Sequence, residues 1–171
     1  MRKTIATLIG AAATVTMITG AGLAQASTHP ASAHRSVTRT EHFQAMNTSR
    51  SNNATRNSLV AYGGAFTAGG IDVQHANNTD TFRFAGGTFR VTHKTTGGHQ
   101  HISNATCLIS ISQHGTYKIS KGTGKYAGIR GSGHFKLSIL VVAARNAHGA
   151  CTHRASASQL LIQASGPVTL P

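Results

Sequence analysis

Acidic residues and tryptophan are the two things this sequence has least of. Its 171 residues include three acids, Glu41, Asp72 and Asp80, against 16 Lys plus Arg, and Trp is absent. An excess of positive charge on this scale predicts adhesion to polyanions such as nucleic acids, teichoic acids or anionic lipid headgroups. The shortage of carboxylates argues against catalysis that needs several acidic groups.

Aromatic residues are also few, with six Phe and three Tyr. Modules that recognise nucleic acid specifically combine basic residues with aromatic stacking platforms or a recognition helix. Here Phe and Tyr alternate with other residues in a way that suits a sheet core. We therefore expect no specific nucleic-acid binding. An anionic cell-envelope polymer is the alternative partner for the positive charge.

The first 26 residues predict a secretory signal peptide. Arg2 and Lys3 begin it, residues 4–23 carry no charge, and Ala24-Gln25-Ala26 provides a small-x-small cleavage pattern. A transmembrane anchor is the competing interpretation, since about 20 residues span a bilayer. The Thr and Gly residues that dilute the stretch favour cleavage. We expect a secreted, extracellular protein that diffuses away or stays at the cell envelope, with no transmembrane segment in its mature form.

Two cysteines, Cys107 and Cys151, are present. In an exported chain such a pair is most simply a disulfide. It would close a loop of roughly 45 residues and contribute about 3–4 kcal/mol in the chain-entropy model. Free thiols or metal ligands are the alternative, but there is no CxxC spacing.

Residues 27–57 and 58–171 differ in amino-acid composition. The first segment is rich in Ser, Thr, Asn, His and Arg, and its large apolar residues are isolated. Such a segment buries too little surface to offset its ordering entropy. We expect a disordered basic tail over 27–57, with at most a helical turn around 39–46, and a folded domain over 58–171.

The folded domain has the pattern of many short strands separated by Gly- and Asn-rich breaks. About eight such strands without a helical period predict an all-β, antiparallel barrel or sandwich, and closure into a barrel would remove exposed edges. The expected strands are 59–66, 71–73, 81–84, 88–94, 107–112, 116–120, 133–144, 159–164 and 168–170.

Residues 122–127, Gly-Thr-Gly-Lys-Tyr-Ala, have the letters of a dinucleotide-binding fingerprint. That fingerprint must open a helix whose N-terminus meets the pyrophosphate. Gly128, Gly131 and Gly133 follow within a few residues and cannot sustain a helix. We expect a Gly-rich hairpin or bulge here, and no cofactor.

Residues 120–133 resemble the GGTGKYxGixGsG hairpin of the allene oxide cyclase and dirigent barrel superfamily. Supporting stretches are 64–70, 82–84 with 87–89, and 143–146. On this resemblance, 58–171 looks like a secreted actinobacterial member. It implies a calycin-like antiparallel barrel of eight strands with a small hydrophobic cavity, often assembled as a homotrimer.

The resemblance does not transfer catalytic residues. Dirigent-type chemistry uses a cavity carboxylate as its general acid. Asp72 and Asp80 lie in or beside Gly/Asn-rich stretches, where an Asp is more often a turn former. The catalytic residues are therefore unknown. We expect non-catalytic binding of a small apolar ligand or of an anionic envelope polymer, with an isomerase or cyclase, or a dirigent-type coupling protein, as the alternatives.

Candidate ligand contacts come from alternation along two expected strands. Phe89, Val91 and His93 share one face, as do Tyr117 and Ile119, and either set could line a cavity. Ordinary core packing is the alternative.

A metal site is not expected. His99-Gln100-His101 could offer two imidazoles on one face, but zinc needs further ligands that no nearby residue supplies.

Overall fold

Eight antiparallel strands form one sheet that closes into a ring in the computed structural model, which describes residues 36–49 and 55–171, with the backbone only at 48 and 49. Each strand pairs with the next, and the last pairs with the first. The strands are β1 Val37–Ser49, β2 Arg56–Gly63, β3 Ala68–His75, β4 Thr79–Phe84, β5 Gly87–Ser103, β6 Leu108–Ser120, β7 Arg130–Arg145 and β8 Cys151–Leu170, with a 3₁₀ helix at Gly124–Tyr126.

The expected all-β class with eight antiparallel strands is confirmed. Strict alternation drives it: along β2, Asn57, Leu59 and Ala61 are buried while their neighbours are exposed. Successive side chains of a strand point to opposite faces, so one face of each strand builds the interior of the ring. Among the described residues, no helix is long and apolar enough to cross a membrane.

The first strand corrects the expected disordered tail. Residues 37–49 form β1, which pairs with β8 over its whole length and with β2 from Glu41 to Met46. Its inward residues Glu41, Phe43 and Ala45 are 0%, 3% and 2% exposed. β1 is therefore part of the closed sheet, and no helical turn occurs there. The expected signal peptide, 1–26, and residues 27–35 and 50–54 of the expected tail lie outside the described residues.

Two expected strand breaks are absent. The expected strands 107–112 and 116–120 are one strand, β6, which begins at Leu108 and continues through Gly115. Residues 159–164 and 168–170 likewise belong to β8. Gly-rich and Pro-containing stretches are therefore accommodated within the sheet.

Aromatic rings fill one end of the ring. Phe66, Phe84, Phe89 and Tyr126 pack against one another with centroid separations of 5.1 to 6.4 Å. The 3₁₀ helix brings Tyr126 to this cluster, where it is 6% exposed. Such packing closes this end, so access to the interior must come from the opposite end.

At the opposite end, β5 to β8 run on beyond the shorter strands and form a four-stranded extension. A disulfide joins its two hairpin turns: Cys107 follows the β5–β6 turn and Cys151 follows the β7–β8 turn, with Cα atoms 5.4 Å apart. The expected Cys107–Cys151 pairing is confirmed. Arg145 supports the same tip by donating to the carbonyl oxygens of Gly149 and Ala105 at 2.6 and 2.5 Å.

Candidate ligand cavity

A cavity of about 90 Å³ lies inside the ring, between the aromatic end and the extension. Most of its wall is apolar, but acidic, imidazole and phenol groups also reach it. The apolar lining includes Phe43, Leu59, Phe82, Val91, Phe135, Leu137 and Ile162, and the polar lining consists of Asp72, Gln74, Asp80, His93, Thr95, Gln113 and Tyr117. Thr95 is exposed, so the cavity meets solvent on the side of the extension.

The register of three strands sets the polar groups side by side. Asp72 of β3 lies opposite Phe82 of β4, and Asp80 lies two residues before Phe82, on the same inward face. Asp80 in turn lies opposite Val91 of β5, and the next inward residue of β5 is His93. Diagonal neighbours on one face of an antiparallel pair lie within reach of each other's side chains. The two carboxyl groups and the imidazole are thus neighbours on one inner wall.

Asp72 is completely buried, at 0% exposure. Its Oδ2 accepts a hydrogen bond of 2.7 Å from Nδ2 of Asn57, itself 2% exposed, while its Oδ1 has no hydrogen-bond partner among the described residues. Burial raises the pKa of Asp72 to about 6; the Asn57 bond opposes the rise and the charge of Asp80 adds to it. Asp72 can therefore hold a proton near neutral pH.

Asp80 is 8% exposed, and its Oδ2 lies 3.5 Å from Nε2 of His93. Burial raises the pKa of Asp80 to about 6. Burial also lowers the pKa of His93, an effect that the charge of Asp72 opposes. A dominant ion pair would shift both pKa values the other way, so desolvation outweighs the attraction here. The contact is one in which carboxyl and imidazole compete for a proton.

Tyr117 lies directly opposite His93 on β6 and is 3% exposed. Its hydroxyl lines the cavity but has no hydrogen-bond partner among the described residues. Burial raises the pKa of Tyr117 to about 12, and the charge of Glu41 adds to this. The phenol stays protonated and can donate a hydrogen bond to a molecule in the cavity.

Glu41, the third acid, is buried near the aromatic end and does not line the cavity. Its Oε2 accepts hydrogen bonds from the backbone N–H groups of Ala65 and Phe66, at 2.9 and 3.3 Å. Burial raises the pKa of Glu41, and these two bonds oppose the rise. Its role is to hold the β2–β3 connection, which places Phe66 in the aromatic cluster.

The five expected ligand contacts divide into two groups. Val91, His93 and Tyr117 line the cavity. Phe89 and Ile119 are 1% and 5% exposed and belong to the packed core instead. Binding by any of the five stays a prediction.

Asp72 and Asp80 were expected in or beside turns, as turn formers, and the turn-forming role is wrong. Both lie within strands, β3 and β4, and point inward. Alternation could have indicated this for Asp80, since Asp80, Phe82 and Phe84 occupy every second position and are all buried. The turn residues are instead Asn77 and Asn78, whose φ angles of 63° and 53° lie in the left-handed region that Asn tolerates.

His99 and His101 lie on exposed positions of β5. Within residues 36–49 and 55–171, no group of three or more His, Cys, Asp or Glu is arranged to hold a metal ion.

Comparisons with protein-family models, with curated proteins and with solved structures found no match to this chain. The cavity itself therefore carries the functional argument.

Proposed function

We propose that the chain binds a small, mainly apolar molecule in the cavity and moves protons on it, as an isomerase or cyclase does. The observation that carries the proposal is the pair Asp72 and Asp80: two buried carboxyl groups in a mostly apolar cavity, each with its pKa raised to about 6. Titratable groups whose pKa is shifted by burial and by a specific charged neighbour are typical of functional sites.

The cavity restricts what can bind. At about 90 Å³ it is smaller than typical ligand pockets, which enclose ~300–1,000 Å³. It suits a small ring, or the reactive end of a larger molecule whose remainder leaves past Thr95 toward the extension. A polar atom on the ligand would find the Tyr117 hydroxyl as a donor.

The two carboxyl groups together provide an acid and a base. Because the charge of Asp80 raises the pKa of Asp72 and burial raises both, the state in which one of the two carboxyl groups is protonated is well populated near pH 6. In an isomerisation, the protonated carboxyl gives its proton to one ligand atom and the carboxylate removes a proton from another. The ligand keeps its formula, and the carboxyl groups exchange protonation states. His93, beside Asp80, can return the proton through solvent.

This proposal moves beyond the sequence-based expectation of binding without catalysis. That expectation depended on the shortage of carboxylates and on the absence of any sequence signal that places Asp72 or Asp80 in a cavity. The resemblance to allene oxide cyclase and dirigent barrels supports the same kind of site, because both hold a reactive apolar molecule in the interior of the barrel. A dirigent-type role would require only positioning and a general acid.

The first experiment tests binding. 3-Cyclohexenone, a small ring ketone, is titrated into the ¹⁵N-labelled protein and followed by two-dimensional NMR. Saturable shift changes at Val91, His93 and Tyr117, with none at Phe89, are expected. Absence of saturable changes for this ketone and for cyclohexene and phenol would reject the cavity as a binding site.

The second experiment tests proton transfer. Conversion of 3-cyclohexenone to the conjugated 2-cyclohexenone is followed by ultraviolet absorption, with an expected maximum rate near pH 6. Asp72→Asn and Asp80→Asn should each lower the rate roughly 100-fold or more. Glu41→Gln is the matched control, because it also replaces a buried carboxyl group but lies outside the cavity. Saturable binding with equal rates in all four proteins would leave a non-catalytic binding protein.

Export and assembly stay predictions. The Cys107–Cys151 disulfide is typical of an oxidising compartment. Native mass spectrometry of the protein secreted by its host would report cleavage, the expected homotrimer and any retained ligand in one measurement.

A further inference from the structure

The charges of this protein are segregated between the inside and the outside of the ring. Its three acids, Glu41, Asp72 and Asp80, are 0%, 0% and 8% exposed. The 16 Lys plus Arg residues of the chain therefore find no exposed side-chain carboxylate. The one carboxylate-to-base contact in the described part of the chain, Asp80 with His93, is in the cavity.

Outward-facing cations on β5, β6 and β7 alternate with hydroxyl groups. Lys118 of β6 lies between Thr92 of β5 and Ser132 of β7. One step along, Thr116 lies between Lys94 and His134. Like charges directly opposite each other destabilise a sheet, and this arrangement avoids them.

The pattern continues at the edges of the same surface. Arg90 lies opposite Ser120, and Arg130 lies opposite Thr169 of β8. We call the outer surface of β5–β7 that carries Arg90, Lys94, Lys118, Arg130 and Lys136 the basic face. All five side chains are exposed.

Two grooves run along this face and share β7 as a wall. The first, of about 770 Å³, is lined by Lys118, Lys121 and Arg130 together with hydroxyl residues including Ser132. The second, of about 400 Å³, is lined by His114, His134 and Lys136, among others. Arg130, Ser132, His134 and Lys136 are consecutive outward residues of β7, spaced about 6.6–6.8 Å apart. Arg130 and Ser132 line the first groove, and His134 and Lys136 line the second.

Phe and Tyr are missing from the outward positions of β5–β7 over the basic face, where the rings present are the imidazoles of His114 and His134. Tyr117 and Phe135 of these strands point inward and are 3% and 7% exposed. Tyr62, which borders the second groove from β2, is stacked on His42 with ring centroids 5.2 Å apart. Single-stranded nucleic acid is held by base stacking on aromatic rings as well as by charge. The basic face offers charge and hydroxyl donors without Phe or Tyr rings for stacking.

We propose that the basic face binds a linear phosphodiester polymer that carries no bases, such as a polyol phosphate. Lys and Arg neutralise phosphate charges, and the intervening hydroxyl groups donate to the remaining phosphate oxygens. A phosphate offers more acceptor positions than a carboxylate. This suits a surface where four of the five cations, all except Lys136, lie opposite a hydroxyl residue. The inference goes beyond the proposed cavity function and does not depend on it.

The test compares two variants of the full chain with equal net charge. Lys94→Gln/Lys118→Gln/Arg130→Gln alters the basic face, and Arg56→Gln/Arg83→Gln/Arg154→Gln removes three exposed cations from elsewhere on the ring. Affinity for fluorescent poly(glycerol phosphate) is measured by anisotropy over a range of salt concentrations. We expect the dissociation constant of the basic-face variant to rise about tenfold, with a shallower salt dependence, because fewer phosphate contacts remain. The control variant should stay within about twofold of the unaltered chain.

Three outcomes would overturn the proposal. Equal weakening in both variants would show that net charge, and not this face, determines binding. Tighter binding of single-stranded DNA than of the base-free polymer at equal phosphate number would indicate a nucleic-acid surface instead. No saturable binding by the unaltered chain would exclude the site, and circular dichroism of both variants shows whether each remains folded.

Discussion

At the scale of single residues, Asp72 and Asp80 act against the stability of the fold that holds them. Each has a pKa raised to about 6 from 3.8, mainly by burial. The folded state therefore binds protons more tightly than the unfolded chain between those two values. Stability is greatest below pH 3.8 for these groups and falls as pH rises toward 6. At neutral pH each carboxyl group costs about 3 kcal/mol, since one pKa unit corresponds to about 1.4 kcal/mol.

The variant Asp80→Asn should remove its share of this pH dependence. Asn is nearly the same size and carries no charge, so the desolvation cost at neutral pH disappears. Between about pH 4.5 and 7.5, the free energy of unfolding of the variant relative to the unaltered chain should rise by about 2 kcal/mol. Urea unfolding at the two pH values measures it.

His93 also contributes to the absolute curve of both proteins. Burial lowers its pKa, which makes stability rise with pH and opposes the two carboxyl groups. For this reason the comparison is between two proteins at each pH. A difference that stays constant from pH 4.5 to 7.5 would mean that Asp80 titrates normally in the folded protein.

Gly115 illustrates a second constraint at the residue scale. A Cβ atom there would lie 2.1 Å from the backbone oxygen of Lys94 and 2.7 Å from the ring of Phe135. Gly115→Ala should therefore lower the free energy of unfolding by about 1–3 kcal/mol. Gly69→Ala is the control, because nothing lies within 4 Å of its added Cβ, and it should be neutral or slightly stabilising. Equal effects at the two positions in thermal melts would contradict the close packing at Gly115.

At the scale of elements, β1 is the strand that closes the ring. Without it, β2 and β8 would each expose an unpaired edge, and Phe43 and Ala45 would be lost from the core. A chain that begins at residue 58 should therefore fail to unfold cooperatively, whereas one that begins at residue 36 should unfold in a single transition. Thermal circular dichroism and size-exclusion chromatography distinguish them. Cooperative unfolding of the shorter chain would show that the ring does not need β1.

β1 also shows why part of the fold could not be predicted from the sequence. Its inward face carries Glu41, Phe43 and Ala45, so it has one large apolar residue where a recognisable strand has several. Its burial comes from partners distant in the chain, β8 above all, and a local pattern cannot indicate that. The sequence indicates each of β2 to β7. The expected bounds of β3, β4, β5 and β7 are shorter than those of the structure, whereas the expected strand 59–66 runs past the end of β2 at Gly63.

The prediction of breaks inside β6 and β8 was wrong for a similar reason. A Gly or Pro predicts a turn only if no neighbouring strand continues the pairing. Pro167 pairs with Thr40 of β1, and it lies where the pairing of β8 with β7 is interrupted between Gly131 and His134. The missing N–H of Pro167 is thus placed where no β7 residue needs it.

Only part of the candidate site could be predicted from the alternation of residues along each strand. Alternation places Val91, His93 and Tyr117 inward, as found. Asp72 belongs to a strand flanked by Gly and Asn, and only the pairing of β3 with β4 brings it beside Asp80. Asp72 and Asp80 become neighbours only through the pairing register of β3 with β4. That register cannot be read from the local sequence, so the site could not be predicted from it.

At the scale of the whole molecule, acids inside and cations outside set the electrostatic free energy of folding. The chain has 16 Lys plus Arg, and folding buries all three side chains that could neutralise them. In the unfolded chain those carboxylates lie in water and attract nearby cations. Folding gives up this attraction and brings cations closer together, so it works against like-charge repulsion.

Salt should therefore stabilise this protein. Raising sodium chloride from about 0.01 to 0.3 M shortens the screening length from ~30 Å to well below 10 Å, which weakens the repulsion between outer cations. We expect the melting temperature to rise by several degrees. The melting temperature of the variant Lys94→Gln/Lys118→Gln/Arg130→Gln should rise less with salt, because fewer cations repel one another on its basic face. A melting temperature that falls with salt would mean that attractive charge pairs dominate, and the burial of Glu41, Asp72 and Asp80 leaves the outer side chains no carboxylate partner for such pairs.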